Sequence, residues 1–245
     1  MYESFFEKFP GNTTQTPETK TNLELLINRL HELKEQWREI INQFNQEYYP
    51  KNPPEDPKKM VHALILWWIK TGAGEWKETL VRIIRENEKA TQEAQLIQMI
   101  TTEYLRRTRG ENITAYRGVT NWKILQKIEN YANSNDTQTL KDPNLIIQPW
   151  TSLTENIQVA IDFACGIFPD VWIYGIEGVN HAVIIEVSVP VENIFVHYLI
   201  HPAFELFPRE KELILNHKGG SGMKVKRIIM LAPDSREETR TVIFE

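Results

Sequence analysis

The sequence changes character near Gly110, and this change limits the chain to folds that contain both helices and a sheet. Before it, apolar residues such as Leu26, Leu30 and Leu33 recur every three or four positions from residue 23 to 44. This is the spacing of an amphipathic helix. Asp56 and Pro57 form a plausible start for a second helix. The patterns predict helices over 23–44, 57–69 and 90–107, with one more between 74 and 90.

After Gly110 the chain consists mainly of short segments rich in β-branched residues. NITAYRG at 112–118 and HAVIIEVSV at 181–189 are examples, and such segments are typical of strands. Two helices, predicted over 121–132 and 156–164, interrupt them. Strands with few helices between them indicate an α+β fold, with mostly antiparallel strands and the N-terminal helices packed on one side. Further strands are expected at NIFV, ELILN, VKRIIML and RTVIFE.

These patterns divide the chain into three parts. We expect a flexible leader over 1–20, a helical part over 21–110 and a β-rich core over 111–245. The helical part and the core are expected to form one compact domain. The leader has no basic start and no continuous apolar segment, so it does not resemble a signal peptide. We therefore expect a cytoplasmic protein, or one delivered into a target cell by a separate route.

Composition narrows the choice of partners only a little. The chain has 245 residues, of which 41% are apolar and 25% are charged, and its net charge is −5. The acidic balance favours a protein partner over a nucleic acid, without excluding a nucleic-acid partner. Cys165 is the only cysteine, so no intramolecular disulfide can form. The apolar run at 60–69 falls short of the roughly 20 residues that span a membrane.

Three short motifs carry side chains suited to chemistry. AYRG places Arg117 at a strand end, TSLT places Ser152 and Thr154 at a strand-to-helix junction, and REKELIL places Glu210 and Glu212 before a strand. In an extended chain the two-residue spacing puts both carboxylates on one face. Taken singly, each motif also has a plain structural explanation, as a surface arginine, a helix cap or a charged turn.

In this order the motifs resemble the Arg, Ser and Glu elements of the ADP-ribosyltransferase toxin-like family, in its Glu-x-Glu subtype. The similarity covers about residues 110–245 and extends to Ala160 and Phe163 on the helix that follows the Ser-x-Thr motif. Members of the family split NAD and transfer ADP-ribose to a target. The resemblance implies a two-sheet β core, NAD as a consumed substrate, and a protein acceptor modified on arginine.

The resemblance assigns four residues to NAD binding. Arg117 and Gly118 match the strand-end element, and Ser152 and Thr154 match the Ser-x-Ser/Thr element. A guanidinium suits the phosphates of NAD because its planar donors pair bidentately with phosphate oxygens and it keeps its charge. The hydroxyl of Ser152 would also orient a catalytic carboxylate.

The resemblance assigns catalysis to the acidic pair. Glu212 matches the catalytic glutamate, and Glu210 matches the acid that guides a guanidinium acceptor and takes its proton. Loss of nicotinamide leaves an oxocarbenium-like ribose, and a carboxylate on the adjacent hydroxyl binds more tightly as that charge develops. Two neighbouring carboxylates repel each other, so we expect one of them to have a raised pKa.

The sequence departs from the family pattern between Arg117 and Arg209. No arginine occurs in this interval, so the second cation that usually faces the phosphates is missing. Arg106, Arg107 and Arg109 are the candidates to replace it.

Several aromatic residues have two interpretations at this stage. Phe168, Trp172 or Tyr174 could stack on the nicotinamide ring, or could belong to a hydrophobic turn and strand. Phe204 and Phe207 precede the acidic pair and could contact a target protein, or could pack into the protein's own core. The sequence leaves both choices open.

Two other activities remain open alongside the transferase. An NAD glycohydrolase would use water in the same cleft, and a noncatalytic binding module would keep the fold with a decayed cleft. We predict no metal site, because the histidines lack zinc-binding spacing and Cys165 is alone. KGGSG at 218–222 lies between two predicted strands, and we interpret it as a hairpin turn.

Overall fold

The computed structural model describes residues 17–45, 54–72, 74–119, 122–133, 141–143, 147–165, 181–232 and 238–243. The first helix begins at Pro17, so residues 17–20 of the predicted leader are helical and residues 1–16 lie outside the described residues. Among the described helices, none combines the length and the apolar character needed to cross a membrane.

Four helices make up the described part of the N-terminal half. Asp56 caps the second of these, accepting a hydrogen bond from the Lys58 amide at 3.0 Å, and Pro57 is its first residue. Gly72, with a φ of 61°, ends it in the left-handed conformation that glycine adopts at low cost. The four helices are α1 (Pro17–Phe44), α2 (Pro57–Thr71), α3 (Gly74–Glu86) and α4 (Glu88–Arg109).

The rest of the described chain alternates strands with two helices, α5 (Trp122–Asn133) and α6 (Ile157–Ala164). Two 3₁₀ helices, Val191–Asn193 and Pro202–Leu206, flank the fourth strand. The strands are β1 (Asn112–Val119), β2 (Ser152–Thr154), β3 (Ala182–Pro190), β4 (Ile194–His197), β5 (Glu212–Leu215), β6 (Lys224–Leu231) and β7 (Glu238–Ile243). The α+β prediction is confirmed.

The described strands form one antiparallel sheet in the order β4-β5-β2-β1-β3-β6-β7, whereas the resemblance implies two sheets. The pairing between β1 and β2 consists of a single residue pair, Tyr116 with Thr154. β2 has only three residues, yet it pairs along its whole length with β5. This short strand joins the two halves of the sheet, and it lies at the strand-to-helix junction that the sequence predicted around TSLT.

The prediction of a hairpin at 218–222 is wrong. The turn joins β5 to β6, and three other strands lie between them in the sheet. Both edges of β5 are already paired, to β2 and β4, so β6 pairs with β3 and β7 instead. Gly219, with a φ of 53°, brings the turn against Pro149, where a Cβ would lie 2.7 Å from the proline nitrogen.

The sheet separates two hydrophobic cores. Leu213 and Leu215 of β5 point into a core shared with β1, β3 and α5. Ile214 points to the opposite face, where it joins Phe195 and the helices α1 to α4 in a second core. This alternation is the two-residue period of a strand buried on both faces. The N-terminal helices thus pack on one face of the sheet, as predicted.

Candidate active site

The six residues that the sequence analysis assigned to the site line one cleft. The cleft has a volume of about 150 Å³, below the roughly 300–1,000 Å³ of typical small-molecule sites. It is therefore too small to enclose a molecule the size of a whole dinucleotide. Its walls are Arg117, Gly118, Ser152, Thr154, Glu210 and Glu212, together with Tyr116, Leu153, Val159, Ala160 and Phe163.

Strand pairing brings these distant segments together. Thr154 on β2 pairs with Glu212 on β5 and with Tyr116 on β1. The strand-end arginine, the Ser-x-Thr motif and Glu212 therefore lie on three adjacent strands, and Glu210 lies in the turn directly before β5. Because β2 is the central strand of the three, its side chains at 152 and 154 lie within reach of both neighbours.

Glu212 lies in a largely desolvated part of the cleft. Burial raises its pKa to about 7, and the neighbouring carboxylate of Glu210 acts in the same direction. A side-chain hydrogen bond from Ser152 and the charge of Arg117 act to lower it. Burial also raises the pKa of Glu210. The expected rise is present, but burial contributes more to it than repulsion between the two carboxylates.

Arg117 is fixed at the back of the cleft. Its Nη1 donates a hydrogen bond to the carbonyl oxygen of Ser152 at 2.7 Å. Burial lowers the pKa of Arg117 from its usual value, and the charge of Glu212 opposes that shift. An arginine remains charged at neutral pH under these conditions. The site therefore holds a half-buried cation between β1 and β2, beside the carboxylate of Glu212.

Gly118 has a packing role that the sequence did not reveal. A Cβ on Gly118 would lie 2.2 Å from the carbonyl oxygen of Ala160 and 2.8 Å from the amide of Ala164. Both atoms belong to the backbone of α6, so no side-chain rotation could relieve the contact. Only glycine allows α6 to approach β1 this closely. The helix can then place Phe163, which is 40% exposed, along the wall of the cleft.

The three arginines proposed to replace the missing cation are engaged elsewhere. Arg106 pairs with Glu111 at 3.1 Å and Arg109 with Glu155 at 2.5 Å. Arg107 pairs with Glu103, one helical turn away. These contacts occupy the guanidinium groups in ion pairs with side chains of the chain itself. Phe168, Trp172 and Tyr174 lie outside the described residues.

A different cation lies near Arg117. Lys77 is on α3, forty positions before Arg117 in sequence. Burial lowers the pKa of Lys77, and the positive charge of Arg117 lowers it further. Lys77 does not line the cleft, and no sequence pattern marks it, because its place near Arg117 depends on how the helical layer packs against the sheet.

Beside the cleft, Glu155 is the centre of a polar cluster, which consists of Glu155, Arg109, His197 and Tyr198. His197 Nε2 lies 2.7 Å from Glu155 Oε1, and the Tyr198 hydroxyl lies 3.4 Å from Glu155 Oε2. Burial acts to raise the pKa of Glu155, but hydrogen bonds from His197 and Arg109 hold it below its usual value. The cluster anchors the chain directly after β2.

Two buried histidines form a second polar chain, away from the cleft. His201 Nδ1 accepts a hydrogen bond from the Ala203 amide at 3.3 Å, so its proton is on Nε2, 2.9 Å from His62 Nδ1. His62 Nε2 then lies 3.1 Å from Glu93. Among the described residues, no group of three or more His, Cys, Asp or Glu side chains is arranged to hold a metal ion.

The choice between acceptor contact and core packing is settled for Phe204. Phe204 is 3% exposed and belongs to the core under the N-terminal helices. Phe207 packs against the same core while remaining partly exposed. The fixed backbone of Pro202 starts the 3₁₀ helix that turns Phe204 inward.

Comparison with known proteins adds no family assignment. No protein-family model, no curated protein and no solved structure matches this chain. The argument for function therefore depends on the geometry and chemistry of the cleft.

Proposed function

We propose that the protein is a mono-ADP-ribosyltransferase that cleaves NAD and transfers ADP-ribose to an arginine of a protein acceptor. One observation supports this most strongly: Arg117, Ser152, Glu210 and Glu212 come from three separate sequence motifs and line the same cleft. The proposal includes membership of the ADP-ribosyltransferase toxin-like family and its two-sheet type of core. In this description, the two sheets would meet at the single residue pair between β1 and β2.

Glu212 would act on the ribose attached to nicotinamide. When the bond between C1′ and the nicotinamide nitrogen breaks, its electron pair leaves with nicotinamide and positive charge develops on the ribose. An ionised Glu212 would hold the adjacent 2′-hydroxyl and stabilise that charge more strongly in the transition state than in the ground state. Ser152 orients the carboxylate through its hydrogen bond.

Glu210 would complete the transfer. An acceptor guanidinium docks on this carboxylate through paired hydrogen bonds. One of its nitrogens forms the new bond to C1′ and loses a proton to Glu210. The raised pKa of Glu210 suits a group that takes up a proton in this step. Bond formation and proton transfer balance the loss of neutral nicotinamide.

The NAD molecule would extend beyond the cleft. Phe163 offers an aromatic surface at the cleft wall on which the nicotinamide ring can stack. Arg117 would attract the phosphates, with the charge of Lys77 nearby. The remaining part of the dinucleotide would lie outside the enclosed volume.

The test is to incubate the purified full-length protein with NAD and an arginine-containing acceptor, and to measure both nicotinamide release and the added mass of one ADP-ribose unit. Glu212→Gln should abolish both signals. Glu210→Gln should lose transfer to arginine and retain measurable nicotinamide release. Transfer that is unchanged in Glu210→Gln would remove Glu210 from the mechanism.

Two other results would select the alternative activities. Nicotinamide release without any labelled acceptor, for a range of proteins and small guanidines, would indicate an NAD glycohydrolase. Calorimetric titration with NAD that shows no heat would indicate a noncatalytic module. A labelled nucleic acid in place of protein would revise the acceptor class alone.

A further inference from the structure

The backbone of the acidic turn, defined here as residues 209–212, is held by the segment 154–156. This segment begins with Thr154, the last residue of the Ser-x-Thr motif, and leads into α6. It donates hydrogen bonds to three consecutive carbonyl oxygens of the turn. The donors are the Thr154 hydroxyl to Glu210, the Glu155 amide to Lys211 at 3.1 Å, and the Asn156 side chain to Arg209 at 3.0 Å.

The acidic turn needs such support because its own conformation is unfavourable. Lys211 lies between the two carboxylates and has a φ of 43°, a left-handed conformation that is costly for a residue with a Cβ. Contacts from outside the turn must therefore maintain it. The conformation of Lys211 sets the direction of Glu210 relative to Glu212, so the same contacts fix the geometry of the acidic pair.

The side chain of Asn156 joins two elements of the cleft. Its Oδ1 accepts a hydrogen bond from the Gln158 amide at 3.1 Å and so caps α6. Its Nδ2 donates to Arg209 at the start of the acidic turn. The side chain itself does not line the cleft. It ties the helix that carries Phe163 to the turn that carries Glu210.

We propose that Asn156 is a positioning residue that determines how much ADP-ribose reaches an acceptor rather than water. This inference rests on the proposed function. Water can reach the ribosyl cation from many directions, whereas a guanidinium must be held by Glu210 in one orientation. Loosening the acidic turn therefore reduces transfer more than it reduces nicotinamide release.

Asn156→Ser separates the two contacts of this side chain. Serine caps helices about as well as asparagine, so α6 keeps its cap, but the shorter side chain cannot reach the Arg209 carbonyl. The substitution adds no charge near the carboxylates. Asn87 caps α4 in the same way, accepting hydrogen bonds from Lys89 and Ala90, and it lies in the helical layer. Asn87→Ser is therefore the matched control for a change of cap.

The first measurement uses the full-length protein with NAD and agmatine as a small guanidine acceptor. Asn156→Ser should lower the ratio of ADP-ribosylated agmatine to released nicotinamide by about five-fold or more. The change should appear as a raised KM for agmatine, with the KM for NAD within two-fold of the parent. Asn87→Ser should leave the ratio unchanged. An unchanged ratio in Asn156→Ser overturns the inference.

The second measurement does not depend on NAD. Arg209 and Lys211 are exposed, so trypsin reports how firmly the turn is held. Asn156→Ser should increase the rate of cleavage after these two residues at least three-fold, with other sites and the Tm close to the parent. Unchanged cleavage overturns the inference even if the ratio moves. If the parent protein releases no nicotinamide, the proposed function fails and the role in transfer falls with it, whereas trypsin alone decides whether Asn156 holds the turn.

Discussion

Ser152 donates a side-chain hydrogen bond to Glu212 across the paired strands β2 and β5, and this bond opposes the rise in the pKa of Glu212. Catalysis as proposed needs the ionised carboxylate. Nicotinamide release at low NAD concentration should therefore increase with pH through a midpoint near 7, the pKa of Glu212. A rate that is flat between pH 5.5 and 8.5 would contradict an ionised Glu212 as the catalytic group.

Removing the Ser152 hydroxyl should move this midpoint. In Ser152→Ala the carboxylate loses a hydrogen bond that favours its charged form, so the midpoint should rise by about one pH unit. Ser152→Thr keeps a hydroxyl at the same position and should stay close to the parent. The measurement is the pH profile of nicotinamide release for the three proteins. A midpoint that does not move in Ser152→Ala would show that Ser152 does not act through Glu212.

Glu212 is expected to reduce the stability of the fold at neutral pH. Its pKa is about 7 in the folded protein and about 4.3 for an unperturbed glutamate. The folded state therefore binds the extra proton between these values, and the free energy of unfolding falls as the pH rises through this window. Glu212→Gln removes this loss and should be more stable than the parent by about 1–3 kcal/mol at pH 8, with no such gain at pH 4.

Urea unfolding at the two pH values checks this expectation. Glu39 lies on the exposed face of α1, and Glu39→Gln is the control for loss of one carboxylate at the surface, where effects are usually within ±0.5 kcal/mol. If Glu212→Gln destabilises the protein at pH 8, the carboxylate must be better solvated or better paired than its burial indicates.

Some elements of the fold could be predicted from the sequence more completely than others. The spacing of Leu26, Leu30 and Leu33 predicted α1 because helical periodicity depends on local spacing alone. Around β2 the sequence predicted only a strand-to-helix junction, without strand bounds, because three residues are too few to show any period. The hairpin at 218–222 was wrong because glycine indicates a turn but does not determine which strands pair across it.

The site shows the same division between local and long-range information. Arg117, Ser152 and Glu212 could be selected because each stands in a short motif with its own chemistry. Lys77 and Asn156 could not, because their importance depends on distances across the fold and not on neighbours in sequence. Gly118 was selected for NAD binding, yet its most evident constraint is the backbone of α6, which no sequence pattern near residue 118 reveals.

Gly118→Ala should destabilise the fold through this contact. The added Cβ would meet the backbone of α6 at 2.2 Å, and such overpacking costs about 1–3 kcal/mol. Gly74→Ala is the matched control, because a Cβ on Gly74, the first residue of α3, has no heavy atom within 4 Å. Urea unfolding should show a loss of stability for Gly118→Ala and a change within about 0.5 kcal/mol for Gly74→Ala. A neutral Gly118→Ala would mean that α6 moves away from β1 at little cost.

His201 should make the fold sensitive to mild acid. Burial, together with the charges of His62 and Lys34, lowers its pKa well below the usual value. Below about pH 6.5 the unfolded chain therefore binds a proton that the folded chain does not, and stability is lost as the pH falls, by up to about 1.4 kcal/mol per pH unit. Glu212 contributes with the opposite sign over part of this range, so the net slope for the parent is smaller.

The difference in the free energy of unfolding between the parent and His201→Asn isolates this effect, because the other titrating groups contribute equally to both proteins. Asparagine retains an acceptor for the Ala203 amide but does not titrate. The variant should be less stable than the parent at pH 7.5, since the contact with His62 is lost, and the gap should narrow steadily toward pH 5. A gap that stays constant over this range would show that His201 does not resist protonation in the folded state.

Lys77 should contribute to NAD binding through its charge. It lies close enough to Arg117 for the two cations to interact, and a dinucleotide carries its negative charge on the two phosphates. Lys77→Met keeps the length of the side chain and removes the charge, so we expect the KM for NAD to rise about three- to ten-fold, a cost of about 1 kcal/mol. Because Lys77 is separate from the acidic pair, kcat should remain within two-fold of the parent.

Lys89→Met changes an exposed lysine on α4 and should leave both constants unchanged. Equal KM values for NAD in the two variants would leave Arg117 as the cation that attracts the phosphates, and would place Lys77 among the residues that only support the packing of α3.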